Sequence, residues 1–205
     1  MASAQARLAE IRTRFVGELV PRRSACPLLE LLTQHFLALS SASARLLAHK
    51  PQVDSALNTA SQFCHQPKEA RAKWLIYQQT RQLWELLQDY FSEAHHELFE
   101  FIRGDVYQGL GSHSETAPLR FGNYPENHPW RMFLHNLECT IDLVELGFDI
   151  IDTFHHTRKN WRTLETRIET QIDQLPSAPE LEERFQTALE RIRICNHHER
   201  RQAIT

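Results

Sequence analysis

Two acid-x-x-His signatures are the residues of this chain best spaced for metal chemistry. The first is Glu93 with His96, followed by Glu100 one helical turn later, and the second is Asp152 with His155. Residues three or four positions apart share a face of a helix, so a carboxylate and an imidazole at this spacing can bind one metal ion. Carboxylate-bridged four-helix bundles bind their metals with pairs of this kind. The first hypothesis is therefore a metal-binding helical bundle.

The two signatures fall in two long helical stretches, residues 68–103 and 129–171, whose geometry argues against a shared site. In an antiparallel hairpin they would be displaced along the axis by roughly 20 Å. Apolar periodicity also places Glu93 and His96 on the solvent side of the first helix. In the second helix the predicted core stripe ends on a histidine that points inward or lies at the end of the stripe: Phe133, Leu137, Ile141, Val144, Phe148, Ile151 and His155. We therefore assign no metal ligand and no cofactor, and the metal-binding bundle stays an alternative.

The composition is that of an ordinary globular protein, with 41% hydrophobic and 24% charged residues in a chain of 205. This length suffices for one substantial core, so we expect a single domain over residues 1–205. The 23 basic and 26 acidic residues give a formal net charge of -3. The molecule as a whole therefore does not attract nucleic acid or anionic lipid, and any such binding depends on local patches.

The cysteines are far apart in the sequence: Cys26, Cys64, Cys139 and Cys195. Without a C-x-x-C pair they predict neither a zinc ribbon nor a disulfide framework. The N-terminal residues mix arginines with apolar residues, which is not the pattern of a signal peptide. The longest low-charge stretch, residues 139–154, contains four acidic residues and is too short to span a bilayer. We expect reduced thiols, a cytoplasmic location and no membrane partner.

Apolar residues recur with helical periodicity almost everywhere, and no stretch alternates with the period of a strand. The pattern predicts helices over residues 8–19, 28–46, 53–63, 68–103, 129–171 and 181–192. Pro51, Pro67 and Pro129 are expected at helix openings, where proline is tolerated. The fold class is all-α: an irregular multi-helix bundle built around the two long antiparallel helices, which a long loop joins.

The segment from residue 104 to residue 128 interrupts the helical pattern. It contains four glycines and two prolines, and a connection of this length is usually either functional or disordered. Arginine and aromatic residues are enriched in the hot spots of protein interfaces. We therefore predict that a protein partner contacts four residues in the second half of this loop and just beyond it: Arg120, Phe121, Tyr124 and Trp130.

A basic cluster near the end of the sequence supports a second hypothesis: Arg191, Arg193, His197, His198, Arg200 and Arg201. Such side chains can complement the negative end of a helix dipole, and they can also neutralise the phosphates of nucleic acid. Two pairs have an arginine followed by a histidine within four to six residues: Arg191 with His197, and Arg193 with His198. This spacing resembles the signature of HEPN-type ribonucleases, which are all-α. The resemblance implies a ribonuclease or a nucleic-acid-binding subunit, although Ile192 and Ile194 stand where that family usually has a polar residue.

The chain contains no nucleophile elbow, phosphate-binding glycine loop, H-E-x-x-H motif or dinucleotide fingerprint. We assign no catalytic residue; the sequence leaves the question of an enzyme open but favours a non-enzymatic protein. The leading hypothesis is a helical interaction protein, an adaptor or accessory subunit of a larger complex. The alternatives are a ribonuclease or nucleic-acid-binding subunit and a metal-binding bundle.

Overall fold

The computed structural model describes residues 2–15, 27–106 and 129–175, together with residues 183, 186, 187, 190 and 191. In these residues the chain is helical and contains no strand, which confirms the predicted all-α bundle. The helices are α1 (Ala2–Arg14), α2 (Pro27–Phe63), α3 (Pro67–Phe101) and α4 (Pro129–Asp173), and a π-helical turn, Ile102–Val106, continues α3. Each of the three long helices begins with a proline, whose missing N–H would have no helical partner there.

Pro51 lies inside α2 rather than at the start of a new helix, so the predicted break between residues 46 and 53 is wrong. Proline has no N–H, which leaves the carbonyl of Leu47 without its helical donor. The side chain of Gln5 donates from Nε2 to this carbonyl at 3.4 Å. Two apolar residues before the proline and two after it are buried: Leu46, Leu47, Val53 and Leu57. Their burial keeps α2 continuous, because packing outweighs local helix propensity.

The chain divides into two compact units, and α2, α3 and α4 each contribute residues to both. The first unit contains Met1–Leu47 and Gln88–Thr153, and the second contains Ala48–Leu87 and Phe154–Thr205. α1 belongs to the first unit, where its apolar residues Leu8 and Ile11 are buried. Polar contacts then hold α1 along α4: Nη1 of Arg7 lies 2.5 Å from Asp149, and Nη2 of Arg14 lies 2.5 Å from Asp142.

The buried face of α4 coincides with the predicted stripe only in part. Ile141 and Phe148 are 43% and 49% exposed. His155 is exposed as well, so of its two predicted placements the inward one is wrong. Phe133 and Val144 of the stripe are buried. Buried residues outside the stripe include Asn136, Thr140, Leu143, Gly147, Ile150 and Phe154. The hydroxyl of Thr140 donates to the carbonyl of Asn136 at 2.6 Å. Glycine and a threonine whose hydroxyl bonds to its own helix can be buried at little cost, so a stripe drawn through apolar residues alone locates only part of the buried face.

The core of the second unit is aromatic. The ring of Trp84 meets the rings of Phe154 and Trp161 edge-on, with both centroid distances at 4.9 Å. Nε1 of Trp161 donates to Asp54 at 2.9 Å, and the same carboxylate accepts from the buried Lys50 at 2.6 Å. Trp161 therefore serves packing, although basic residues surround it in the sequence.

A buried carboxylate, that of Glu165, joins α4 to α3 in the second unit. The hydroxyl of Tyr77 donates to Oε1 of Glu165, and Nη1 of Arg81 lies 2.9 Å from the same oxygen. Burial raises the pKa of Tyr77 above its usual range, and the hydrogen bond to Glu165 raises it further. The phenol therefore stays protonated and remains a donor. Because a buried charge without partners is costly, these two contacts allow Glu165 to lie in the core.

Replacement of Tyr77 by phenylalanine removes one of the two donors to Glu165. We expect Tyr77→Phe to lower the free energy of unfolding by about 1–3 kcal/mol, the cost of leaving a buried acceptor without its donor. Urea denaturation followed by circular dichroism measures the change. The control is Tyr90→Phe, because Tyr90 is 41% exposed. We expect this control to change stability by less than about 0.5 kcal/mol, and equal losses in the two variants would contradict the structural role of the hydrogen bond.

Candidate interaction surface

The residues of the acid-x-x-His signatures lie mostly at the surface. Four of the five are exposed: Glu93, His96, Asp152 and His155. The fifth, Glu100, pairs with Arg103 at 3.0 Å. Among the residues that the structure describes, no three His, Cys, Asp or Glu side chains come close enough together to hold a metal ion. The signatures therefore form part of the polar surface of α3 and α4.

The residues predicted for partner and nucleic-acid binding lie largely outside the described part of the chain. Outside it are Arg120, Phe121, Tyr124 and the side chain of Trp130. In the basic cluster Arg191 is helical and exposed, and the remaining members also lie outside the described residues: Arg193, His197, His198, Arg200 and Arg201. Both assignments stay predictions.

Two residues of the predicted core stripe of α4 are exposed, and together with a residue of α3 they form an apolar surface in the first unit. Ile141 and Phe148 are seven residues apart, which is two helical turns, so they lie on one face of α4. Phe99 of α3 is 37% exposed, and its ring centroid lies 6.1 Å from that of Phe148 in an edge-to-face contact. We call Phe99, Ile141 and Phe148 the apolar surface. It gives α4 a second apolar face beside the one that it buries.

A buried histidine, His95, lies beneath the apolar surface. Its ring stacks with Phe91 at 5.9 Å and meets Phe148 edge-on at 4.7 Å. Nε2 lies 3.1 Å from the carbonyl oxygen of Val144, and since a carbonyl can only accept, Nε2 carries the proton. Burial lowers the pKa of His95, and the hydrogen bond to Val144 opposes this shift only in part. His95 is therefore a neutral donor that joins α3 to the backbone of α4.

The only glycine of α4, Gly147, allows this close approach. A methyl group on Gly147 would lie 2.6 Å from Nε2 of His95 and closer still to Cδ2. The imidazole therefore occupies the space that any other residue at position 147 would fill. His95 and Gly147 together determine how closely α3 and α4 pack in the first unit.

The first unit is acidic, although the chain as a whole is close to neutral. Its described residues include twelve acidic and six basic residues, a net charge of -6. Those of the second unit include ten basic and eight acidic residues, a net charge of +2. Five of the twelve acidic residues lie on α4, where no lysine or arginine occurs between Arg131 and Arg158. Negative charge is therefore concentrated on one stretch of one helix.

The five acidic residues of α4 fall into two groups. Asp142 and Asp149 pair with the arginines of α1. The other three are exposed and seven residues apart, and we call them the acidic edge: Glu138, Glu145 and Asp152. Within the described segments none of the three forms an ion pair. Each lies three or four residues from Ile141 or Phe148, so the acidic edge follows the apolar surface along α4.

Sequence reasoning missed this arrangement because it allowed α4 only one apolar face. The absence of basic residues between Arg131 and Arg158 and the seven-residue spacing of the acidic residues were visible in the sequence. They could be interpreted only once the buried face was known.

An open groove of about 510 Å³ lies in the second unit. Its lining consists mostly of small, uncharged side chains: Pro51, Gln52, Ser55, Ala56, Thr59, Lys73, Ile76 and Thr80. Lys73 is the only ionisable residue among them, so the groove contains no acid–base pair. It offers no basis for catalysis.

Comparison of the chain with protein-family models, with curated proteins and with solved structures found no match. None of the helices within the described segments combines the length and apolarity needed to cross a membrane. The function is therefore inferred from the chain's own geometry.

Substitution of Gly147 by alanine tests the contact with His95. We expect Gly147→Ala to lower the free energy of unfolding by about 1–3 kcal/mol, because the methyl group displaces a buried ring. In the background of His95→Ala the same substitution should be neutral or stabilising by up to about 1 kcal/mol, since alanine is the better helix former. Urea denaturation of the four proteins of this double-mutant cycle measures the coupling. Equal costs in both backgrounds would contradict the contact.

The lowered pKa of His95 predicts a pH dependence of stability. A histidine that is neutral when buried binds a proton more readily in the unfolded chain, so stability falls as the pH drops below about 6.5. We expect the wild type to lose more stability than His95→Gln between pH 7.5 and pH 5.0, because glutamine retains a donor towards Val144 but does not titrate. The difference cannot exceed about 1.4 kcal/mol per pH unit. Parallel pH profiles of the two proteins would refute the assignment.

Proposed function

We propose that this protein is a helical interaction protein, an adaptor or accessory subunit, whose partner binds the apolar surface of the first unit. The proposal depends on one observation, the 37–49% exposure of Phe99, Ile141 and Phe148. α4 already buries one face, and a helix with apolar residues on further faces is usually covered on those faces too. A partner helix or loop would supply the missing cover.

The energetics suit a reversible complex. A phenylalanine contributes about 200 Å² of surface, so covering the exposed half of Phe148 is worth about 2.5 kcal/mol at 25 cal/mol per Å². The whole apolar surface provides roughly 6 kcal/mol on the same basis, before the entropy cost of association. Polar contacts around the apolar surface must provide the rest of the affinity, which is typical of interfaces that form and dissociate.

The environment of the buried ionisable groups favours a binding function over a catalytic one. Lys50 pairs with Asp54, and Glu165 accepts from Tyr77 and Arg81. These groups are engaged in the core of the second unit and do not line the groove of that unit. An acid or base in catalysis must reach the substrate, which these groups cannot do.

The proposal predicts that an acidic substitution on the apolar surface releases a partner. We expect affinity purification of the full chain from its source to recover a stoichiometric partner, and Ile141→Asp with Phe148→Asp to reduce the recovery at least tenfold. Circular dichroism must show an unchanged helix content in the variant. The matched control is Ile76→Asp, because Ile76 is 50% exposed in the second unit. Recovery that survives the double substitution would overturn the proposal.

The loop prediction is tested in the same experiment by Phe121→Ala with Tyr124→Ala. Loss of the partner in this variant alone would assign the interaction to the loop. Loss in the Ile141 and Phe148 variant alone would assign it to the apolar surface.

A further inference from the structure

The contacts of α1 in the first unit show what kind of helix can bind beside a row of carboxylates on α4. α1 presents Arg7 and Arg14, seven residues apart, to Asp149 and Asp142, which are also seven residues apart. Between the arginines its buried apolar residues, Leu8 and Ile11, provide the packing. The ion pairs are partly exposed and contribute little energy by themselves, so their effect is to fix register and direction. α1 is thus a basic amphipathic helix on an acidic support.

The acidic edge has the same features as the carboxylates that bind α1, but its residues have no ion-pair partner among the described residues. Glu138, Glu145 and Asp152 have the same seven-residue spacing as the carboxylates that bind α1. Ile141 and Phe148 lie beside them and are about half exposed. Two helical turns span about 10.8 Å, so basic groups seven residues apart on a partner helix match this spacing.

We infer that the acidic edge and the apolar surface form a docking site for an amphipathic helix of a partner protein, with arginines or lysines seven residues apart beside its apolar stripe. This inference rests on the proposed function and specifies the chemistry of the partner. The apolar stripe covers Ile141 and Phe148, and the basic side chains pair with Glu138 and Glu145, as flanking charges do in coiled coils. The net charge of -6 on the first unit disfavours an acidic partner, a nucleic acid and an anionic membrane at this site.

A peptide with the sequence of residues 2–15 is the probe, because α1 is a helix of the required type within this chain. Ala6→Lys allows a lactam bridge to Glu10 on the exposed side, which holds the short peptide helical. We expect saturable binding of the fluorescent peptide to the full chain, measured by anisotropy and weakened by salt. Glu138→Lys with Glu145→Lys in the full chain should weaken it at least tenfold. A peptide with Arg7→Glu and Arg14→Glu should not bind.

The control for non-specific attraction is Glu93→Lys with Glu97→Lys. Both residues are exposed on α3 of the same unit, and the charge change is identical. We expect this variant to bind the peptide within a factor of two of the wild type. Absence of saturable binding overturns the inference. So does equal weakening in the two lysine variants, or binding unaffected by Glu138→Lys with Glu145→Lys, which would indicate exchange with α1.

The outcome is distinguishable from failure of the proposed function. If the purified partner depends on Ile141 and Phe148 but not on Glu138 and Glu145, the proposed function stands and this inference fails. If sedimentation shows a dimer of the chain that Phe148→Asp dissociates, a second copy occupies the site and the inference about the partner is wrong.

Discussion

The contact between His95 and Gly147 is the constraint on which the surface of the first unit depends. The imidazole fills the space of a side chain at position 147, so α4 approaches α3 with this face and no other. Asn136 and Thr140 lie on the same side of α4 and are buried with it. A rotation of α4 that buried Ile141 and Phe148 would expose this polar, small-residue face to water. It would also remove the space beside Gly147 that the ring of His95 fills. The exposed apolar surface is therefore a consequence of how α3 and α4 pack.

α4 has three distinct sides in the first unit. One side packs against α3, a second binds α1 through Asp142 and Asp149, and the third carries the apolar surface with the acidic edge. A helix with only one amphipathic face would leave its remaining sides polar. The repetition of a seven-residue spacing on both acidic lines means that the geometry that binds α1 is available a second time. This repetition, together with the negative charge, is why we propose a basic amphipathic helix as the partner.

The positions of the long helices α3 and α4 and the solvent side of α3 could be predicted from the sequence, whereas the rotation of α4 could be predicted only in part. Periodicity and proline placed α3 and α4 to within two residues at their starts, because both signals are local. Pro51 was misplaced because the burial of Leu47 and Val53 and a hydrogen bond from Gln5 are long-range effects. The rotation of α4 depends on Gly147. Glycine has no side chain, so it does not count as an apolar residue when a core stripe is identified from the sequence. The apolar surface depends on that rotation, so the sequence pattern wrongly predicts that Ile141 and Phe148 are buried.

Charged residues have different environments in the two units: the second unit buries two of them in its core, whereas the first has a line of them at its surface. In the second unit Lys50 and Glu165 are buried and bonded to neighbours, so their charges stabilise one arrangement of the core and are inaccessible to a partner. In the first unit Glu138, Glu145 and Asp152 are exposed, and solvation already satisfies them, so removing any one costs the fold little. Charges that the fold does not need, aligned at helical spacing beside uncovered aromatic rings, can change without loss of stability. This freedom suits them to determine which helix binds.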